Sequence, residues 1–249
     1  MTDATLVPAE TGARLDALAA RYARADGPAL RLLNLLGAQA ENLLERLPDR
    51  VKEELEVATV HALAAALEAA QRSRRTMPDQ SPWMNTSITT AMGAAGGFGG
   101  LPTALAELPF TTTVLFRAIL AEAHRQGFDP AAETVRREAL EVFSAAGPLS
   151  HDDGSETGFL AARVTLTGAT VRGIIARIAP RLSAVLGQKL AAQTVPVLGA
   201  AAGAATNYAY TRYYQEIAGV RFGLMRLSEE TGADPALLTE EIRARMPRR

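Results

Sequence analysis

Residues 80–106 carry no charged side chain, yet five glycines fall within eight of these positions: Gly93, Gly96, Gly97, Gly99 and Gly100. That combination narrows what the chain can build. A phosphate-cradling loop needs glycines between a strand and a helix, with a lysine and a hydroxyl at fixed offsets. No strand-like alternation precedes these glycines, and no lysine lies between Lys52 and Lys189. A membrane span needs about 20 mostly apolar residues, and Asn85, several hydroxyl side chains and Pro102 interrupt this run. A second uncharged run, 190–211, is richer in Ala, Val and Leu but is broken by Gln193, Pro196 and Asn207. Neither reads as an independent span, although each suits an interface or a re-entrant position shielded by protein. The spacing carries the remaining reading. Gly93/Gly97, Gly96/Gly100 and Gly199/Gly203 are each four apart, so each pair falls on one helix face. Without side chains there, a second helix can approach to backbone contact. Glycine costs about 1 kcal/mol per interior helical position against alanine. Such a cluster therefore implies a compensating contact, or a segment only partly helical.

Composition supports helices throughout. The chain is 48% hydrophobic but only 5% aromatic, which suits helices packed through small side chains better than sheets. Residues 28–48 are rich in leucine between two prolines, and 49–75 place Val51, Leu55, Ala58, Ala62, Ala66 and Ala70 on one face. Residues 76–83 read as a linker and 108–127 as a buried helix closed by Gly127. Asp129 and Pro130 are expected to cap and open a helix over 128–147, and 233–246 has the same Asp-Pro start. A helix is expected over 159–179, another from Pro180, and Pro196 is expected to break the pattern before 207–232. The expected fold is all-α: a multi-helix bundle with two Gly/Ala-rich, close-packed segments. Residues 1–27 form a partly helical extension and 28–249 a single domain.

One internal echo matches Gly93 and Gly97 with Gly199 and Gly203, and "QGFDP" (126–130) with "TGADP" (231–235). An internal pseudo-repeat accounts for it. So does the frequency with which Gly-x-Asp-Pro ends one helix and caps the next.

The charge balance, 26 basic against 27 acidic residues, offers no excess for nucleic acid. Zero cysteines exclude disulfides, zinc thiolates and thiol nucleophiles. The first 27 residues lack an apolar core run, so a cytoplasmic location is expected. His61, His124 and His151 are far apart in sequence and form no zinc motif. The polar loop 150–158 gathers Ser150, His151, Asp152, Asp153, Ser155 and Glu156, and reads mainly as a solvated helix connection. Asp152, Asp153 and Glu156 are a weak candidate for a hard cation, off the spacing of a calcium loop. Glu107 and Arg117 are each the lone charge in an apolar stretch. A buried charge demands a partner, which for these two means each other, Asn207, Tyr208 or a ligand headgroup. Arg72, Arg74 and Arg75 precede the first uncharged run, and Arg181, Lys189 and Arg212 surround the second. That placement suits anionic lipid, and also ordinary helix ends.

Two long blocks resemble the EcsC family. The first is "GAAGGFGGLPTALAELPFTTTVLFRAILAEAHRQGFDP" (93–130), and the second "KLAAQTVPVLGAAAGAATNYAYTRYYQEIAGVRFGLMRL" (189–227). Residues 32–75 and 152–166 are similar to the family as well, and Glu107 stands where many members have Asp. The resemblance implies a membrane-associated accessory role beside a bacterial ABC transporter, with no cofactor. It also brings a peptidase label that no protease motif here supports. The reading is a helical, peripheral membrane or apolar-ligand-binding protein on the inner face of the cytoplasmic membrane. Its contact residues are Gly93, Gly96, Gly97, Gly100, Glu107, Arg117, Gly199, Gly203 and Asn207. Two alternatives stay open: a hydrolase using Glu107 with a histidine or with a metal held by the 151–156 loop, and a homo-oligomer paired through its glycine faces.

Overall fold

A computed structural model describes residues 9–25, 49–98, 100–144, 170–176, 179 and 196–246. Among these, every regular element is helical: α1 (Ala9–Ala25), α2 (Asp49–Thr76), α3 (Pro82–Phe98), α4 (Gly100–Arg125), α5 (Glu133–Ser144), α6 (Pro196–Thr231) and α7 (Pro235–Arg245), with a further helical turn at 171–176. The expected leucine-rich helix at 28–48, the loop 150–158 and most of the helix at 159–179 lie outside the described residues.

Helix α6, 36 residues long, spans about 54 Å at 1.5 Å per residue and organises the rest. It contacts α3 most extensively, and also packs against α1, α4, α5 and α7. Helix α6 begins eleven residues before the expected 207, opened by Pro196, and what precedes that proline lies outside the described residues. At the first turn its missing N–H would have no intrahelical partner in any case. Pro109 lies inside α4, whose helix starts at Gly100 and not near residue 108.

The core collects where α4, α5 and α6 meet. Phe116 stacks on Phe143 at 4.7 Å, Phe143 on Tyr214 at 5.0 Å, and the Tyr214 hydroxyl donates to the Phe143 carbonyl at 3.1 Å. Helix α1 adds Leu15, Ala19 and Tyr22, all buried, so this N-terminal segment belongs to the same core. On α2 the buried stripe is Thr59, Leu63, Ala66, Leu67 and Ala70. Ala66 and Ala70 of the expected face are buried and Ala62 is half-buried, while the side chains of Val51, Leu55 and Ala58 lie outside the described residues; the larger Leu63 and Leu67 leave water beside them.

The two Gly-x-Asp-Pro junctions differ in detail. Gly127 (φ 81°) ends α4, with its N–H bonded to the His124 carbonyl at 2.9 Å and the Phe128 N–H to the Ala123 carbonyl at 3.0 Å. This is the double-bonded Schellman arrangement. Gly232 (φ 70°) ends α6 through one bond, to the Ser228 carbonyl at 2.8 Å. Asp234 then caps α7, accepting from the Ala236 N–H at 2.8 Å with Pro235 in the first turn. Asp129 accepts from the Ala131 N–H at 2.9 Å in the same manner, yet α5 begins only at Glu133. The expected start at Pro130 is a turn. The junctions share the glycine and not the helix start.

Candidate functional site

Helix α3 is turned inside out. Its buried face carries Asn85, Thr86, Thr89, Gly93, Gly96 and Gly97. Its exposed face carries Trp83, Met84, Ser87, Ala91, Ala95 and Phe98. A soluble amphipathic helix does the reverse, hiding its apolar stripe. The buried threonines find their hydrogen bonds locally and on α6, whereas Asn85 Oδ1 is buried with no partner among the described residues. Thr86 donates to the Pro82 carbonyl at 3.0 Å and Thr90 to the Thr86 carbonyl at 2.7 Å. Thr89 Oγ1 lies 2.7 Å from Thr211 Oγ1, and Thr211 Oγ1 donates to the Asn207 carbonyl at 2.7 Å. Gln215 Nε2 donates to the Pro82 carbonyl at 2.9 Å, tying the start of α3 to the middle of α6.

The glycines permit this pairing. A Cβ on Gly93 would clash with the Gly203 carbonyl oxygen, well inside van der Waals contact distance, and would stand 2.7 Å from Asn207 Nδ2. Two backbones therefore touch where side chains would normally stand between them. Asn207 completes the junction, its amide donating to the Thr89 carbonyl at 2.9 Å and to Thr111 Oγ1 at 3.3 Å. The structure thus brings Gly93, Gly203 and Asn207 together, with Gly96 and Gly97 on the same buried face. Gly100 and Gly199 lie at the first turns of α4 and α6.

Arg117 stands apart from that group. Only 7% exposed, it donates to Ser73 Oγ at 2.6 Å, to the Pro78 carbonyl at 3.0 Å and to the Met77 carbonyl at 3.4 Å. It thereby fastens the link between α2 and α3. Burial lowers its pKa from the ordinary arginine value, and nearby Arg74 adds to the lowering while Asp79 opposes it. Among the described residues its hydrogen bonds go to neither Asn207 nor Tyr208. Glu107 lies ten residues back on the same helix, about 15 Å along the axis, and its side chain is outside the described residues. His124 ends that helix, roughly 25 Å from Glu107, while His61 is exposed on α2. His151, Asp152, Asp153 and Glu156 lie outside the described residues. Among the described residues no cluster of His, Asp and Glu could hold a metal ion.

Three large apolar side chains reach solvent beside this junction: Trp83 at 64%, Phe98 at 67% and, on α4, Phe110 at 66% exposure. Trp83 and Phe98 mark the two ends of α3, and nothing between Gln80 and Ala106 bears a charge. No described helix is long and apolar enough to cross a membrane. The surface is therefore an uncharged, aromatic-ended helix lying on the outside of the fold.

A fourth glycine pair with this spacing, Gly219 and Gly223 on α6, was missed in the sequence. A Cβ on Gly219 would overlap the Arg21 guanidinium, and one on Gly223 would come within 2.6 Å of Leu18 Cδ2. The vacated groove lets Arg21 of α1 lie across α6, 2.7 Å from Glu122 and 2.8 Å from Glu216. The four-residue spacing that flagged Gly93 and Gly97 was present here too.

No curated protein and no solved structure matches the chain. The model of the EcsC protein family matches residues 31–226, a stretch that takes in α2 to α5 and nearly all of α6. With most of its length so matched, the chain belongs to the EcsC protein family.

Proposed function

We propose that this protein is a non-enzymatic, membrane-peripheral member of its family, which lays the outer face of α3 into the interfacial zone of an anionic bilayer. The inverted amphipathicity of α3 carries the reading. Burying threonines and glycines while exposing Trp83, Met84 and Phe98 makes sense for a helix whose outer face meets an apolar medium. Tryptophan and phenylalanine on one side of a helix suit the boundary between headgroups and acyl chains. Arg75, exposed at the end of α2 a few residues before Trp83, supplies a cation for anionic headgroups. The backbone contact at Gly93 and Gly203 fixes α3 against the rest of the fold, so that the face is presented on a rigid support. An accessory role beside an ABC transporter, on the inner face of the cytoplasmic membrane, fits the same surface.

Trp83 is the only tryptophan in the chain, so its fluorescence reports on this face alone. Added vesicles containing phosphatidylglycerol should shift its emission to shorter wavelength and shield it from acrylamide. Phe98→Ser combined with Phe110→Ser should weaken sedimentation with those vesicles. Unchanged emission together with no sedimentation at low salt would sink the proposal. A shift that grows with protein concentration in the absence of vesicles would replace the bilayer with a second copy of the chain.

A further inference from the structure

A cleft of about 710 Å³ opens between the second half of α2, the start of α5 and the helical turn at 171–176. That volume suits a small-molecule ligand. Its lining is strongly cationic: Arg72 and Arg75 come from α2, Arg136 from α5 and Arg172 from the turn. Glu68 is the one carboxylate among the described lining residues, and it is already bonded to Arg72. Among the described residues Arg75, Arg136 and Arg172 have no carboxylate partner. Arg136 in addition keeps its Nε buried with no hydrogen-bond acceptor.

Such an arrangement is costly in the empty protein. Like charges sharing one cleft repel, and a buried charged donor left unpaired forfeits hydration without compensation. Both penalties disappear when an anion with several acceptor oxygens enters. Guanidinium groups present planar forks that match phosphate oxygens two at a time. Leu67, Val171 and Ile175 line another part of the cleft, so a hydrocarbon portion can lie beside the charged group.

We propose that this cleft binds a phosphate-bearing ligand, with Arg136 and Arg172 holding the phosphate and Arg75 and Arg72 closing the cationic side. The site shares only Arg75 with the proposed membrane face, and its phosphate-holding pair, Arg136 and Arg172, does not depend on that face. The phosphate belongs either to a lipid headgroup or to a soluble phosphate ester.

Isothermal titration of the full chain with sn-glycerol 3-phosphate, and separately with monomeric dihexanoyl phosphatidylglycerol, tests the proposal and tells the sources apart. Saturable binding of either, weakened about tenfold or more by Arg136→Gln through loss of a charge-assisted contact, supports it. Binding of the ester assigns a soluble ligand; binding of the lipid alone assigns a headgroup. No saturable heat from either probe at millimolar concentration overturns the site. If Arg136→Gln fails to fold, the exposed pair Arg75→Gln and Arg172→Gln decides the matter, and undiminished binding in that double variant overturns it.

Discussion

The two ends of α6 solve one packing problem in opposite ways. Near its start, Gly203 meets Gly93 of α3 and the neighbour is backbone. Near its end, Gly219 and Gly223 meet Arg21 and Leu18 of α1, and the neighbours are the tips of flexible side chains. The first contact is dressed with neutral hydrogen bonds, Thr89 to Thr211 and Asn207 to Thr89. The second is dressed with charge, since Glu122 and Glu216, both buried, converge on Arg21 while Arg125, Arg24 and Arg212 attend from the rim. A glycine against backbone leaves nothing that can give way, whereas a glycine against a long side chain leaves a rotamer's worth of room.

The sharpest break of this contrast is Gly93→Ala. The added methyl meets a carbonyl that cannot rotate aside, so α3 must move from α6. The expected loss is about 3 kcal/mol from overpacking, less about 1 kcal/mol regained in helix propensity. Urea unfolding measures it, and a neutral result would mean that α3 can slide without penalty. Next comes Arg21→Met, which leaves Glu122 and Glu216 with only their partly exposed arginines. A loss of about 2 kcal/mol is expected, below the usual figure for orphaning a buried charge because those partners remain.

Smaller and opposite in sign is Tyr210→Phe, in the first half of α6. Among the described residues the buried Tyr210 hydroxyl has no partner, and burial, with Tyr214 beside it, raises its pKa well above the ordinary phenol value of about 10. Because the folded state disfavours the phenolate, stability is intact below the ordinary value and falls as pH rises toward the folded pKa. The variant should gain about 1 kcal/mol at neutral pH and lose that part of its alkaline sensitivity, as melting curves between neutral pH and strongly alkaline pH would show. The smallest effect is expected for Gly223→Ala. Leu18 can turn its Cδ2 away while the helix gains propensity, so the net change should stay within about 0.5 kcal/mol. A loss as large as that of Gly93→Ala would erase the distinction between the two ends.

What could be read from the sequence follows the range of each interaction. The helical class, the ends at Gly127 and Gly232 and the cap at Asp234 are local, set by residues within a turn of one another. The four-residue glycine spacing is local too, and it marked Gly93 without naming the face that would meet it. The starts of α5 and α6 were misplaced because proline tells only where a helix cannot run through unaided: Pro130 stands in a turn before α5, while Pro196 itself opens α6. The partner of Arg21 was beyond reach, since Glu216 lies 195 positions away among 27 acidic residues. Arg117 was flagged as a lone charge in an apolar run, but its acceptors are mostly backbone carbonyls of the α2–α3 link, which composition does not mark. The outward face of α3 was hidden for a similar reason. An uncharged helix carries no charged stripe to show which side meets water, and the polar stripe of α3, Asn85, Thr86 and Thr89, is the buried one.

The dominance of α6 also has a consequence for biosynthesis. Helices α1, α3 and α4 all emerge from the ribosome before the helix on which they pack. At roughly 5–20 residues per second, Arg21 waits on the order of 10–40 s for Glu216 to be made. Until then the face of α3 that will pack on α6 is uncovered along with its outward one, and only α4 is at hand to cover part of it. A holding chaperone, or an early landing on a surface that accepts apolar helices, would shorten that exposure.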